Sequence, residues 1–180
     1  MKDFRQHLRT FVALAAGTLG ACSKTPSTNL ANNIDTSLDR AGLVDVTVKQ
    51  DLEKGVVTLG GHVPADDQKA QAEAIAKAIA TDQVVANQIA VITPGAESEA
   101  KKVNESLDKG IESNLDAVLV AERLKDDVKF AVKNHVVTLS GNVETPEIRA
   151  HAEQLAAGVP YVHQVVNELQ VRKQKATSTR

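Results

Sequence analysis

The sequence predicts an α+β chain of two tandem small αββαβ domains, each a three-stranded mixed sheet packed against two helices. Three observations carry this. The octapeptide VVTLGGHV at Val56–Val63 returns as VVTLSGNV at Val136–Val143, with six of eight positions the same. At a fixed offset of 80 without gaps, 13 of 37 positions from 55 to 91 are identical, which marks an internal duplication. In each copy, strand-period and helix-period runs then follow one another in the same order. A chain of 180 residues would fill about one or two domains, and the duplication selects two of roughly 60 to 75 residues, a size at which cores are marginal.

The first 21 residues precede these domains. Lys2, Arg5 and Arg9 form a short basic region, and residues 11–21 an apolar run of 11. A membrane-spanning helix needs about 20 residues, so the run reads as the core of a signal peptide. The sequence Leu19-Gly20-Ala21-Cys22 resembles the bacterial lipobox, which implies cleavage before Cys22 and acylation (palmitate among the chains) of that residue as the mature N-terminus. Each buried methylene contributes ~0.8 kcal/mol, and two chains anchor where one holds reversibly. Ser23 rather than Asp at the next position resembles the Gram-negative sorting pattern for the outer membrane. A polar tether, 22–29, follows.

Domain one covers 30–93. Leu30, Ile34, Leu38 and Ala41 share a helix face; Val46 and Val48 alternate, as do Val57, Leu59 and Val63, across a turn at Glu53-Lys54-Gly55. An Ala-rich helix over 68–80 presents Ala72, Ile75 and Ile79, with acidic residues at its start. Val85, Ile89 and Val91 alternate in a third strand, expected parallel to the second through a crossover. Residues 94–100 read as a polar linker.

Domain two covers 101–172. Its first helix places Val103, Leu107, Ile111, Leu115 and Val118 on one face, its strands carry Val128 and Phe130, then Val137, Leu139 and Val143, and finally Val165, Leu169 and Val171. Ile148, Ala152, Leu155 and Val159 mark its second helix. The run 117–121 is apolar at five consecutive positions, all the way round a helix. Leu119 or Val120 is therefore expected to be exposed, or covered by something outside the domain core, and both are candidate membrane or partner contacts.

Composition narrows the function classes. After Cys22 the only aromatic residues are Phe130 and Tyr161, so no platform exists for stacking bases or sugars. Residues 22–171 carry a formal charge of -8 and residues 172–180 carry +4. An acidic body argues against nucleic acid, whose binding rests on phosphate neutralisation. The basic tail, 173–180, could approach anionic lipid through Lys173 and Lys175, at ~1 kcal/mol per basic residue near the surface. His62, His135, His151 and His163 have no metal-ligand spacing, and no nucleophile elbow or phosphate loop occurs. The sequence predicts no catalytic residues, no cofactor and no metal. Gly61 and Gly141 read as points of close backbone approach. Asn87 and Asn167 share the parity of core-facing valines and read as hydrogen-bonded structural locks.

The strand ending Val-x-Leu-x-Gly-x-Val, the Ala-rich helix and Val-x-Asn-x-Ile/Leu-x-Val together resemble the BON domain. Val57, Leu59, Gly61, Val63, Val85, Asn87, Ile89 and Val91 fill the pattern once; Val137, Leu139, Gly141, Val143, Val165, Asn167, Leu169 and Val171 fill it again. Behind a lipobox, the pair resembles the dual BON-domain lipoproteins of the bacterial outer membrane. That resemblance implies a non-catalytic, periplasm-facing protein, lipid-anchored to the outer membrane, whose domains bind phospholipid headgroups or other envelope surfaces and support membrane integrity; anionic phospholipid, met through domain two, is the expected ligand. The alternative is a module that docks an envelope protein or peptidoglycan while the anchor alone holds the membrane. Two positions depart from the pattern: Asn134-His135 stands where the family favours Gly in the hairpin turn, and Thr81-Asp82 stands where Gly-Val often precedes strand three.

Overall fold

The computed structural model describes residues 30–172, so the expectations on Cys22, the tether, Lys173 and Lys175 lie outside the described residues. Domain one runs α1 (Leu30–Arg40), β1 (Val46–Asp51), β2 (Val56–Val63), α2 (Asp66–Ile79), β3 (Val84–Asn87) and β4 (Ala90–Val91). Domain two repeats the order as α3 (Glu97–Ala121), β5 (Val128–Lys133), β6 (Val136–Val143), α4 (Pro146–Ala157), β7 (Gln164–Asn167) and β8 (Gln170–Val171).

In each domain the hairpin is antiparallel, and the third strand lies parallel to the second, in the mixed order expected. That third strand is interrupted. β3 and β4 both pair with β2, and β7 and β8 both pair with β6, with two residues between the halves. The interruption is made by the asparagine. Asn87 Oδ1 accepts from the Ile89 N–H at 3.3 Å, while its Nδ2 donates to the Lys69 carbonyl at 3.3 Å and to Glu73 Oε2 at 2.9 Å. Asn167 does the same with Leu169, Arg149 and Glu153. The lock read from sequence is thus present in both copies, and its partners lie on the crossover helix as well as in the strand.

Each domain has its own core. Ile34, Leu38, Val57, Leu59, Ala72, Ala76 and Ile89 are buried in domain one, and Ile111, Leu115, Leu119, Val137, Leu139, Ala152, Ala156 and Leu169 in domain two. Small alanines on α2 and α4 let those helices sit close to the sheet. Gly61 and Gly141 lie opposite Val46 and Val128 at positive φ, where a Cβ would collide with the carbonyl oxygens of Asp45 and Asp127. This is the close approach expected at both.

Two expectations on the long helix are corrected. α3 begins at Glu97, inside the stretch 94–100 read as linker, and Glu97 Oε1 accepts from the Gly95 N–H at 2.8 Å just ahead of it. The buried face also follows steps of four through Ile111, Leu115 and Leu119, so Val118 is only partly buried and Val103 is exposed. Leu119 is fully buried in the core of domain two and cannot serve as a membrane or partner contact. Five apolar residues in a row conceal the phase of the helix, which the core alone decides. Val120 is exposed, at 56%, as are Ala117 and Ala121.

Candidate contact surfaces

The first surface is the α3 and α4 side of domain two. The last turns of α3 and the end of α4 leave between them a shallow groove of about 590 Å³, whose walls include Ala117, Val118, Leu155, Val159 and Pro160. Tyr161, 68% exposed, follows Pro160 at its rim with a left-handed backbone, φ 67°. Val120 is exposed near the end of α3, where Glu122 meets His151 of α4. The exposed surface of domain two thus carries an aromatic ring beyond α4 and an aliphatic group near the end of α3. Domain two also carries charged pairs: Lys125 pairs with Asp116 and lies 5.1 Å from the Phe130 ring centroid, and His151 Nε2 lies 3.3 Å from Glu122. A shallow groove with mostly apolar walls has the form of a contact surface.

The second surface is the seam where the domains meet. It follows the duplication itself. Val56 and Ala86 pack on Val136 and Val166, which are their own counterparts 80 residues on. Each hairpin tip reaches the interruption in the other domain's third strand: Lys54 Nζ donates to Glu168 Oε2 at 2.7 Å, and Asn134 Nδ2 donates to the Gln88 carbonyl at 2.7 Å. Gln164 breaks the symmetry. Its Oε1 accepts from the Asn87 N–H at 2.9 Å and its Nε2 donates to the Val85 carbonyl at 2.7 Å, so one side-chain amide closes the outer edge of β3. Its counterpart, Val84, has no group that could return the contact. Asp108 on α3 secures the domain-two hairpin tip, its two carboxylate oxygens accepting from the backbone N–H groups of Asn134 and His135 at 2.8 and 2.9 Å.

Between the seam and the first half of α3 lies a hollow of about 450 Å³ bordered by Ala90, Ile92, Lys101, Asn104 and Lys133. Among the described residues, no group of three His, Cys, Asp or Glu side chains could hold a metal, and no helix is long and apolar enough to cross a membrane. Glu73, against Asn87, is the carboxylate most clearly shaped by its surroundings. Burial pushes its pKa up, but hydrogen bonds from Asn87 and Lys77 outweigh that and hold it below the ordinary glutamate value.

Sequence reasoning placed the hydrogen-bonded role of both asparagines, and left Leu119 and Val120 as alternatives for the exposed position. It missed Tyr161 as a surface group, Gln164 as the seam's bridge, and the pairing of His135 with His163. Tyr161 could have been found, because an aromatic residue after Pro160 has no place in the helix or strand pattern. Gln164 offered only its difference from Val84.

Among the solved structures that the chain resembles are two of low similarity. The C-terminal domain of CdsD, the structural protein of the type III secretion system of Chlamydia trachomatis, aligns at 13% identity and TM-score 0.34, covering 81% of this chain and 98% of that one. A second structure of CdsD, also a structural protein of that system, aligns at 13% identity and TM-score 0.34 over 80% and 92%. No curated protein matches the chain. The family model of the BON domain matches twice, over residues 26–93 and 107–173. BON domains are envelope-associated, non-catalytic modules of membrane and phospholipid binding. With two matches that together take in more than half of the sequence, the chain belongs to the BON domain family and carries the domain twice.

Proposed function

We propose that this is a non-catalytic envelope protein, lipid-anchored at Cys22 to the outer membrane, whose second domain rests on the membrane surface through Val120, Tyr161 and the groove between α3 and α4. It would thereby support the integrity of that membrane. The apolar groove between α3 and α4 and the exposed Tyr161 after Pro160 carry the reading. Tyrosine suits a membrane interface because its ring is apolar and its hydroxyl is polar. Fully burying a large aliphatic side chain yields about 1.5–3 kcal/mol, and Val120 is already half covered, so this contact alone is weak. An anchor that keeps the domain at the surface converts weak contacts into occupied ones by effective concentration. Lys173 and Lys175 would add attraction to anionic headgroups, against the net acidity of the domains.

Co-sedimentation of residues 23–180 with anionic and zwitterionic vesicles tests the reading. Anionic vesicles should recover more protein, and Val120→Asp with Tyr161→Asp should reduce recovery without lowering the melting temperature. Equal recovery on both vesicle types would rule out headgroup recognition. Cys22→Ala should leave an unlipidated precursor, and a variant still acylated would remove the anchor. The acidity of residues 22–171 favours a second reading, in which the domains dock an envelope protein or peptidoglycan while the acyl chains alone hold the membrane. A stoichiometric partner lost on Val120→Asp, with no vesicle binding, would decide for it. Leu119→Asp is unsuited to either test, because it would place a charge in the core.

A further inference from the structure

His135 sits where the local backbone favours another residue. It is the second residue of the two-residue turn joining β5 and β6, at φ 66°, after Asn134 at φ 47°. Such turns favour Asn-Gly, and Gly55, just before β2 in domain one, has the same φ of 66°. A side chain kept at a left-handed position suggests a use for it. The ring is partly buried, its Nε2 is shielded from solvent with no hydrogen-bond partner among the described residues, and it meets His163 edge to face with centroids 4.8 Å apart.

The surroundings come from both domains. A cavity of about 170 Å³ is lined by Asp66 and Lys69 of α2, Asn104 of α3, and both histidines. Glu73 and Lys77 continue the α2 face toward His163. Asp108 faces the turn from α3, its carboxylate already occupied by two backbone N–H groups, and Lys133 precedes the turn on β5 with its side chain exposed. Burial, and then the neighbouring His163, hold the His135 pKa below the ordinary histidine value; Asp108 opposes this and Lys69 adds to it. Lys69 is itself held below the ordinary lysine value by burial in the same seam, with Asp66 and Glu73 opposing.

We propose that His135, set edge to face against His163, is a proton-operated latch between the two domains. With the His135 ring neutral the hairpin tip of domain two sits against domain one. An imidazolium there stands against its neighbouring ring and Lys69, and the seam opens. The sign follows from the binding of protons: the open form binds more of them, so closure is fully favoured above the ordinary histidine value of about 6.5 and weakens as pH falls below it. Opening would uncover Val56, Ala86, Val136 and Val166 and release the β3 edge that Gln164 covers, two surfaces fit for a further partner.

Hydrogen exchange on the intact protein in detergent micelles tests the latch. The Asn87 amide, bonded across the seam to Gln164, is the reporter, and core amides of β2 and β6 are the reference. Corrected for intrinsic exchange, Asn87 protection should fall severalfold between pH 7.5 and 5.5, because the open form takes up a proton that the closed form resists. Core protection should hold. In His135→Gly, which suits the turn, and in His163→Gln, Asn87 should stay protected at both pH values. The latch is overturned by unchanged wild-type protection, by the same loss in both variants, or by core amides opening together with Asn87.

Discussion

Helix α1 ends in a left-handed residue at Gly42, φ 79°, and α3 ends in one at Arg123, φ 59°. In both, the next residue returns a hydrogen bond five positions back: Leu43 N–H to Leu38 at 2.9 Å, and Leu124 N–H to Leu119 at 2.8 Å. The turns diverge similarly, with Gly55 in domain one and His135 in domain two. At Gly61 and Gly141, however, both copies keep glycine. Space accounts for the difference. A Cβ at Gly42 or Gly55 would meet nothing within 4 Å, whereas at Gly61 or Gly141 it would strike a backbone carbonyl. A left-handed backbone alone is a cost of about 1–2 kcal/mol that a domain can carry; a left-handed backbone pressed on an unyielding atom is not.

The largest effect is therefore expected at the retained pair. Gly61→Ala and Gly141→Ala should each destabilise their domain by about 3 kcal/mol or more, combining strain with a backbone collision. Denaturant titration reads this, and a cost near that of an exposed Gly→Ala change would break the comparison. The asparagines should separate the domains next. Asn87 is 4% exposed while Asn167 is partly exposed, so Asn87→Ala should cost about 2 kcal/mol and Asn167→Ala about 1. Because Asn87 helps hold the Glu73 pKa down, its share of stability is present above the unfolded glutamate value of about 4.3 and is lost as pH falls through the lower folded value. A melting profile over pH 3–5 should show a shallower acid loss in Asn87→Ala than in the wild type. The smallest effect has the opposite sign: Arg123→Gly should raise stability by about 0.5–1 kcal/mol. Thermal melting that showed destabilisation would mean that the Arg123 side chain contributes to the fold.

The fold was legible because its determinants are local and repeated. Alternating valines, an Ala-rich helix and a glycine at the same strand position need only the chain itself to be recognised, and Asn87 and Asn167 announced their role by parity. What escaped depends on pairs distant in sequence. Gln164 meets Val85 and Asn87 across 79 and 77 positions, and nothing near Gln164 points to β3. The phase of α3 was hidden for a different reason: within 117–121 the sequence is apolar on every side, so only the sheet beneath decides that Leu119 enters the core and Val120 does not. The start of α3 was missed because a polar, charged run reads as linker, although such a run is also a solvated helix.

That last feature makes the connection between the domains a lever. As one unbroken helix of 25 residues, α3 is about 37 Å long. Its first turns border domain one, and its far end carries Val120. A flexible tether would report only that the domains are near one another, whereas a stiff rod converts a tilt at one end into a displacement at the other. Any change in how domain one leans on the first half of α3 would therefore re-aim the apolar groups at the far end.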